Sequence, residues 1–128
     1  LADDTGLRAA TRGRDARLAA AEGAEFDPAS FVDTDYAALS AEWAELGRDA
    51  GELAPAFGDV GLVDDDRAFV TGWGVELAAV AAPVVLLQGR RDRVIPPAHA
   101  ELLAAALPRA EVRFDDTAGH VAVLAGLS

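Results

Sequence analysis

The segment Pro83-Val84-Val85-Leu86-Leu87-Gln88-Gly89 constrains this chain more than any other. Four consecutive β-branched or leucine residues between a proline and a glycine predict a strand that is apolar on both faces. Such a strand needs helices over both faces and neighbours on both edges. Downstream, Pro96 and Pro97 open a helix predicted to run to Leu107, with proline in the first turn, where its missing N–H costs nothing. Leu102, Leu103, Ala106 and Leu107 form the apolar side of that helix, and Pro108 stands just past its end. Glu111-Val112-Arg113-Phe114 alternates and predicts a second strand. Strand, crossover helix and strand make a βαβ unit with parallel strands. Residues 121–127 are apolar and predict a last helix.

Residues 1 to about 75 hold helical patterns and loops without a convincing strand. A helix is expected over 5–22, with Asp3, Asp4 or Thr5 as cap and Gly23 as stop, although Gly13 in its middle costs about 1 kcal/mol relative to alanine. A second is expected over 34–46, where Tyr36, Leu39, Trp43 and Leu46 fall on one face and Gly47 follows. Pro55, Gly58 and Gly61 predict a loop over 54–63. Asp64-Asp65-Asp66 suggests a divalent-metal site, but no ligand-spaced partner accompanies it. A cap and acidic first turn for a short helix to Thr71 is the better reading. Trp73, between Gly72 and Gly74, reads as a packing plug.

The charge balance excludes some partners. The net charge is −11 and every basic residue is arginine, which argues against binding a nucleic-acid backbone. The one tight basic cluster, Arg90, Arg91 and Arg93, reads as a solvated loop. The longest apolar run, Ala78 to Leu87, is broken by Pro83 and too short to span a membrane. Cysteine is absent, so no disulfide, thiolate or Cys-metal chemistry is expected, which suits a cytoplasmic protein. Residue 1 is leucine and methionine is absent throughout, so the chain reads as a fragment, a processed piece or a frame opened at a non-standard start.

Two residues stand where reactive groups gather in a parallel sheet, just past the strands' carboxyl ends. Asp92 follows Gly89, and His120 follows Phe114 on a loop containing Gly119. Singly, they read as a turn residue and a loop histidine. On neighbouring strand ends they read as an acid that fixes a histidine's tautomer and the base it orients. His99, in the first turns of the helix from Pro97, is assigned a structural role.

The stretch from Pro83 through Gly89-Arg90-Arg91-Asp92-Arg93-Val94-Ile95-Pro96, followed by His99 and then Ala118-Gly119-His120, resembles the C-terminal signature of α/β-hydrolase-fold enzymes. In that family a buried strand ends in a Gly-x-x-Asp turn and an apolar-apolar-Pro step, and a helix and strand lead on to a Gly-His loop. The stretch from Asp64-Asp65-Asp66 through Trp73-Gly74 to Pro83 resembles members whose cap leads back into the sheet. The resemblance implies an α/β fold: residues 1–62 a helical cap, residues 63–128 the C-terminal portion of the core. It implies a serine hydrolase of an ester or amide, with Asp92 as acid, His120 as base, a small-molecule substrate, and no cofactor or metal. The family's nucleophile sits earlier, on a Gly-x-Ser-x-Gly elbow, and Ser30, Ser40 and Ser128 have no such setting. The nucleophile, oxyanion hole and remaining strands are therefore expected upstream, in a missing N-terminal part of the same fold. A non-catalytic binding module of that fold is the alternative. A nucleotide-binding doubly wound domain is the third reading, and it lacks a glycine-rich phosphate loop after any strand.

Overall fold

Gly13 decides how the first helical stretch folds. In the computed structural model, which describes residues 4–127, it adopts φ 114° and ψ 177°, a conformation open essentially to glycine alone. The helix expected over 5–22 is therefore two helices, α1 (Thr5–Ala10) and α2 (Arg14–Ala21), folded at that residue. Next come α3 (Asp33–Leu39), α4 (Ala44–Phe57), α5 (Val60–Val70), β1 (Val84–Gly89), α6 (Ala98–Ala106) and β2 (Ala110–Asp115). Short 3₁₀ stretches lie at Pro28–Ser30, Leu77–Ala79 and Ala122–Leu127. The fold is α/β, with a two-stranded parallel sheet. It divides into two compact units, each drawn from separate stretches of chain: one holds residues 28–45 and 76–127, the other 4–27 and 46–75.

In the helical unit, α1, α2 and α5 pack mutually around Ala9, Ala10, Ala21 and Val63, all buried. Small side chains let these helices approach closely. The acidic triplet is explained here, and differently from its expected role. It lies inside α5, whose cap position is Asp59, so it does not start a helix. Asp64 pairs with Arg14, and Asp66 Oδ2 accepts from Nε of the buried Arg17 at 2.5 Å. Breaking a buried pair of this kind costs about 3–5 kcal/mol, because the remaining charge loses its partner. Gly6 lets α1 pass over the pair: a Cβ there would press on both the Arg17 guanidinium and the Asp66 carboxylate.

Several local expectations are corrected. Helix 34–46 ends at Leu39, where the Ser40 hydroxyl donates back to Tyr36 O at 2.7 Å, a local bond that competes with the helical ladder. Trp43 and Leu46 thus leave the face of Tyr36 and Leu39, and Gly47 lies within α4. The loop expected over 54–63 is the end of α4, a turn at Gly58 (φ 59°) and the start of α5. Proline and glycine mark that junction without extending it into a long loop. Trp73 is 71% exposed, with its indole N–H donating to Ala68 O at 2.6 Å, so it plugs nothing.

In the sheet unit, β1 and β2 pair in parallel from Val84 opposite Ala110 to Gly89 opposite Asp115, joined through α6. Both strands match the expected segments. The helix between them is rotated from its expected orientation. Its inward residues are Ala100, Ala104 and Leu107, at i, i+4 and i+7, while Leu102 is 69% exposed. Val85 is half-exposed, so within this chain β1 is not covered on both faces. The last helix is a 3₁₀ stretch at Ala122–Leu127, and it packs against α3 and β1. No described helix is long and apolar enough to cross a membrane.

Candidate active site

The end of β1 and the end of β2 each turn sharply, and each turn is held by an aspartate. Past β1, the Asp92 N–H donates to Gly89 O at 3.3 Å, closing a turn. Asp92 Oδ1 then accepts the backbone N–H groups of Val94 and Ile95, both at 2.8 Å. This accounts for the order Asp-x-apolar-apolar-Pro. Positions 94 and 95 must both donate, so neither can be proline, and Pro96 stands at the next residue. Past β2, Asp115 Oδ1 accepts Thr117 N–H and Oγ1–H at 2.8 Å and Ala118 N–H at 3.0 Å. Those bonds from Thr117 and Ala118 hold the Asp115 carboxyl below the ordinary carboxylate value.

Parallel pairing makes the two turns neighbours. Arg90 N–H donates to Asp115 O at 2.8 Å, which extends the ladder by one bond, and Arg91 N–H donates to Ala118 O at 3.0 Å, which ties the two turns together. Gly89 lies directly against the carbonyls of Ala118 and Gly119, where any Cβ would collide with backbone.

This contact brings His120 over Asp92. Its Nδ1 lies 3.0 Å from Asp92 Oδ2. The Asp92 side chain is 5% exposed and that of His120 38%, so the carboxylate is enclosed and the imidazole reaches the surface. An ionised carboxylate only accepts, which assigns the proton to Nδ1 and leaves the lone pair on Nε2. The arrangement can take a proton at Nε2 and stabilise the imidazolium through Asp92.

Three further residues shape the site, and the sequence reading did not find them. Gln88, buried at the end of β1, donates from Nε2 to Asp92 Oδ2 and Ile95 O, both at 3.3 Å, and to Gly89 O at 3.0 Å. A polar residue ending an apolar strand was its visible signal. Phe31 stacks on the His120 ring, with centroids 6.3 Å apart and planes at 21°; nothing local marked it. Asp35, 1% exposed, reaches the residues just after His120: its Oδ1 accepts Val121 N–H at 2.8 Å and Ala122 N–H at 2.9 Å. Its Oδ2 accepts Val32 N–H at 3.0 Å. Burial opposes the charged form of Asp35. The N–H groups of Ala122, Val32, Val121 and His120 outweigh that, and the carboxyl is held below its ordinary value.

That shift carries a pH dependence. A folded value below the unfolded one, about 3.9 for aspartate, gives stability that is present above the unfolded value and lost as pH falls through the folded one. Asp35→Asn is expected to melt at a lower temperature than the parent near pH 7, with the gap closing below about pH 4. Thermal melts of both proteins across pH 3–7 check this, and a gap of constant width would assign the loss to shape rather than charge.

The other candidates lie elsewhere or serve the frame. His99 is exposed at the start of α6. Arg90, Arg91 and Arg93 are all exposed; Arg90 pairs with Asp116 at 2.9 Å and lies 3.9 Å over the Phe114 ring, and Arg93 donates to Ala29 O at 3.0 Å. Ser40 is engaged with Tyr36 O, Ser30 ends a 3₁₀ turn, and Ser128 lies outside the described residues. Among the described residues, no group of His, Cys, Asp and Glu is placed to hold a metal ion.

The family model described as alpha/beta hydrolase fold matches residues 8–127. No curated protein and no solved structure matches the chain.

Proposed function

Since the chain belongs to the alpha/beta hydrolase fold family, we propose that it serves hydrolysis of an ester or amide of a small molecule, with His120 as base and Asp92 as its orienting acid. The observation that carries this reading is the 3.0 Å contact from Nδ1 of a surface-reaching imidazole to an enclosed carboxylate, just past two parallel strands. Nε2 of His120 would take the proton of a serine hydroxyl as that oxygen attacks the substrate carbonyl. The same proton would then go to the departing alkoxide or amine, leaving an acyl-enzyme that water hydrolyses by the reverse roles.

The nucleophile belongs to this proposal too. Ser30 and Ser40 lack the strand-turn-helix setting of an exposed elbow serine. We place the serine, and the N–H groups that would hold the oxyanion, in a part of the fold encoded ahead of residue 1. The helical segment over 1–62 is proposed as the cap. The test uses the natural gene product, including whatever precedes these residues. A fluorophosphonate probe should label one serine on a Gly-x-Ser-x-Gly turn, with labelling abolished by His120→Ala. A protein that takes no label and turns over no p-nitrophenyl ester would instead be a non-catalytic module of the same fold.

A further inference from the structure

A buried carboxylate is costly, and among the described residues no ion pair offsets the charge of Asp35. Its hydrogen-bond partners are backbone N–H groups from two stretches of chain: Val32 on one side, and His120, Val121 and Ala122 on the other. Donors that converge from two sides need an acceptor with lone pairs on two oxygens. Only an ionised Asp or Glu offers this; an amide has one accepting oxygen and a hydroxyl one. The convergence also explains Gly119. A Cβ at that residue would collide with the Asp35 carboxylate and Val32. Thr34, one residue earlier in α3, donates from Oγ1 to Thr117 O at 3.1 Å, a second tie from α3 to the same loop. The backbone around His120 is thus pinned before it by Asp115 at Thr117 and Ala118, and after it by Asp35 at Val121 and Ala122.

We propose that Asp35 is a positioning residue for His120: it clamps the two residues after the histidine so that Nδ1 stays on Asp92. The purpose of that positioning rests on the reading of His120 as a base; the clamp itself does not. Asp35 acts only through the loop. Asp33, exposed on the same helix, carries the same charge without these bonds, which makes Asp33→Asn the matched control.

The experiment is carried out on the natural protein with Asp35→Ala, Asp35→Asn and Asp33→Asn. Three readouts separate a clamp from a general packing role: hydrogen exchange at Val121 and Ala122, the downfield NMR resonance of the His120 Nδ1–H, and kcat against KM for a p-nitrophenyl ester. For Asp35→Ala, exchange at both amides is expected to rise at least tenfold and the Nδ1–H resonance to broaden or vanish. Turnover should fall about 10²-fold, as for a misplacement near 1 Å, with KM little changed. The amides of β1 should keep their protection. Asp35→Asn should fall between, since one oxygen can still accept from Val121 and Ala122 while the amide N–H₂ faces the Val32 N–H. Asp33→Asn should match the parent.

An unchanged Nδ1–H resonance in Asp35→Ala would overturn the clamp. So would loss of β1 protection in both Asp35 variants, which would make the residue a general determinant of folding. A parent that turns over no ester, but whose resonance responds to Asp35→Ala as expected, keeps the clamp and removes the hydrolytic reading. A parent that turns over ester, with Asp35→Ala indistinguishable from it, does the reverse.

Discussion

Asp92→Asn, made in the natural protein, is expected to lower turnover about 10⁴-fold, by analogy with the same change in the triad of serine proteases. The reason lies in the donors around that side chain. Val94 and Ile95 N–H occupy Oδ1, while Gln88 Nε2 and His120 Nδ1 face Oδ2. An asparagine keeps an oxygen for the backbone pair and so presents an N–H₂ to two other donors. His120 must then turn its lone pair to Nδ1 and carry its proton on Nε2, where it no longer accepts from a hydroxyl. His120→Ala should lose a similar factor by removing the base outright. Steady-state kinetics on a model ester measures both, and a His120→Ala variant with parental turnover would take His120 out of the reaction.

Gly119→Ala is expected to lower turnover about 10²-fold by displacing His120 on the scale of 1 Å. The new methyl group would overlap the Asp35 carboxylate, which backbone N–H groups hold in place, and Val32, which is buried. Neither neighbour is the free end of a flexible chain, so the loop itself must move. Gly89→Ala should be at least as damaging, since its methyl meets the carbonyls of Ala118 and Gly119. The distinguishing measurement is kcat beside the melting temperature. Gly119→Ala with parental kcat would show that the site tolerates a shifted loop, and the geometric account of the Gly-His pair would be lost.

The βαβ unit and the Asp92–His120 placement were legible because their signals are local. Pro83 and Gly89 bracket an apolar run, β2 alternates, and each strand end is followed by a short turn. Membership of the family was likewise readable from that one stretch. What escaped depends on contacts distant in sequence. Asp64 and Asp66 look like the start of a helix until Arg14 and Arg17 are known to face them. Leu102 and Leu103 look like the inner face of α6, yet the helix packs through Ala100 and Ala104, where small side chains bring it close to the strands. Pro55, Gly58 and Gly61 look like a loop, yet Val63, fully buried, anchors α5 in the helical unit right after the turn. Asp35 was the least legible: an acid in a helix's first turn is commonplace, and only the fold reveals what its oxygens hold.

The tie between Asp35 and Ala122 also sets a schedule. It joins residues 87 positions apart, among the most distant bonds of the described residues. During synthesis Asp35 leaves the ribosome long before Val121 and Ala122 exist, so its charge must remain hydrated until they arrive. Closing so long a loop offers no reward until both ends meet. The histidine loop therefore cannot lock until residues 121 and 122 have been made. A nascent chain can complete its helical unit and its strand pair while His120 still lacks its final position.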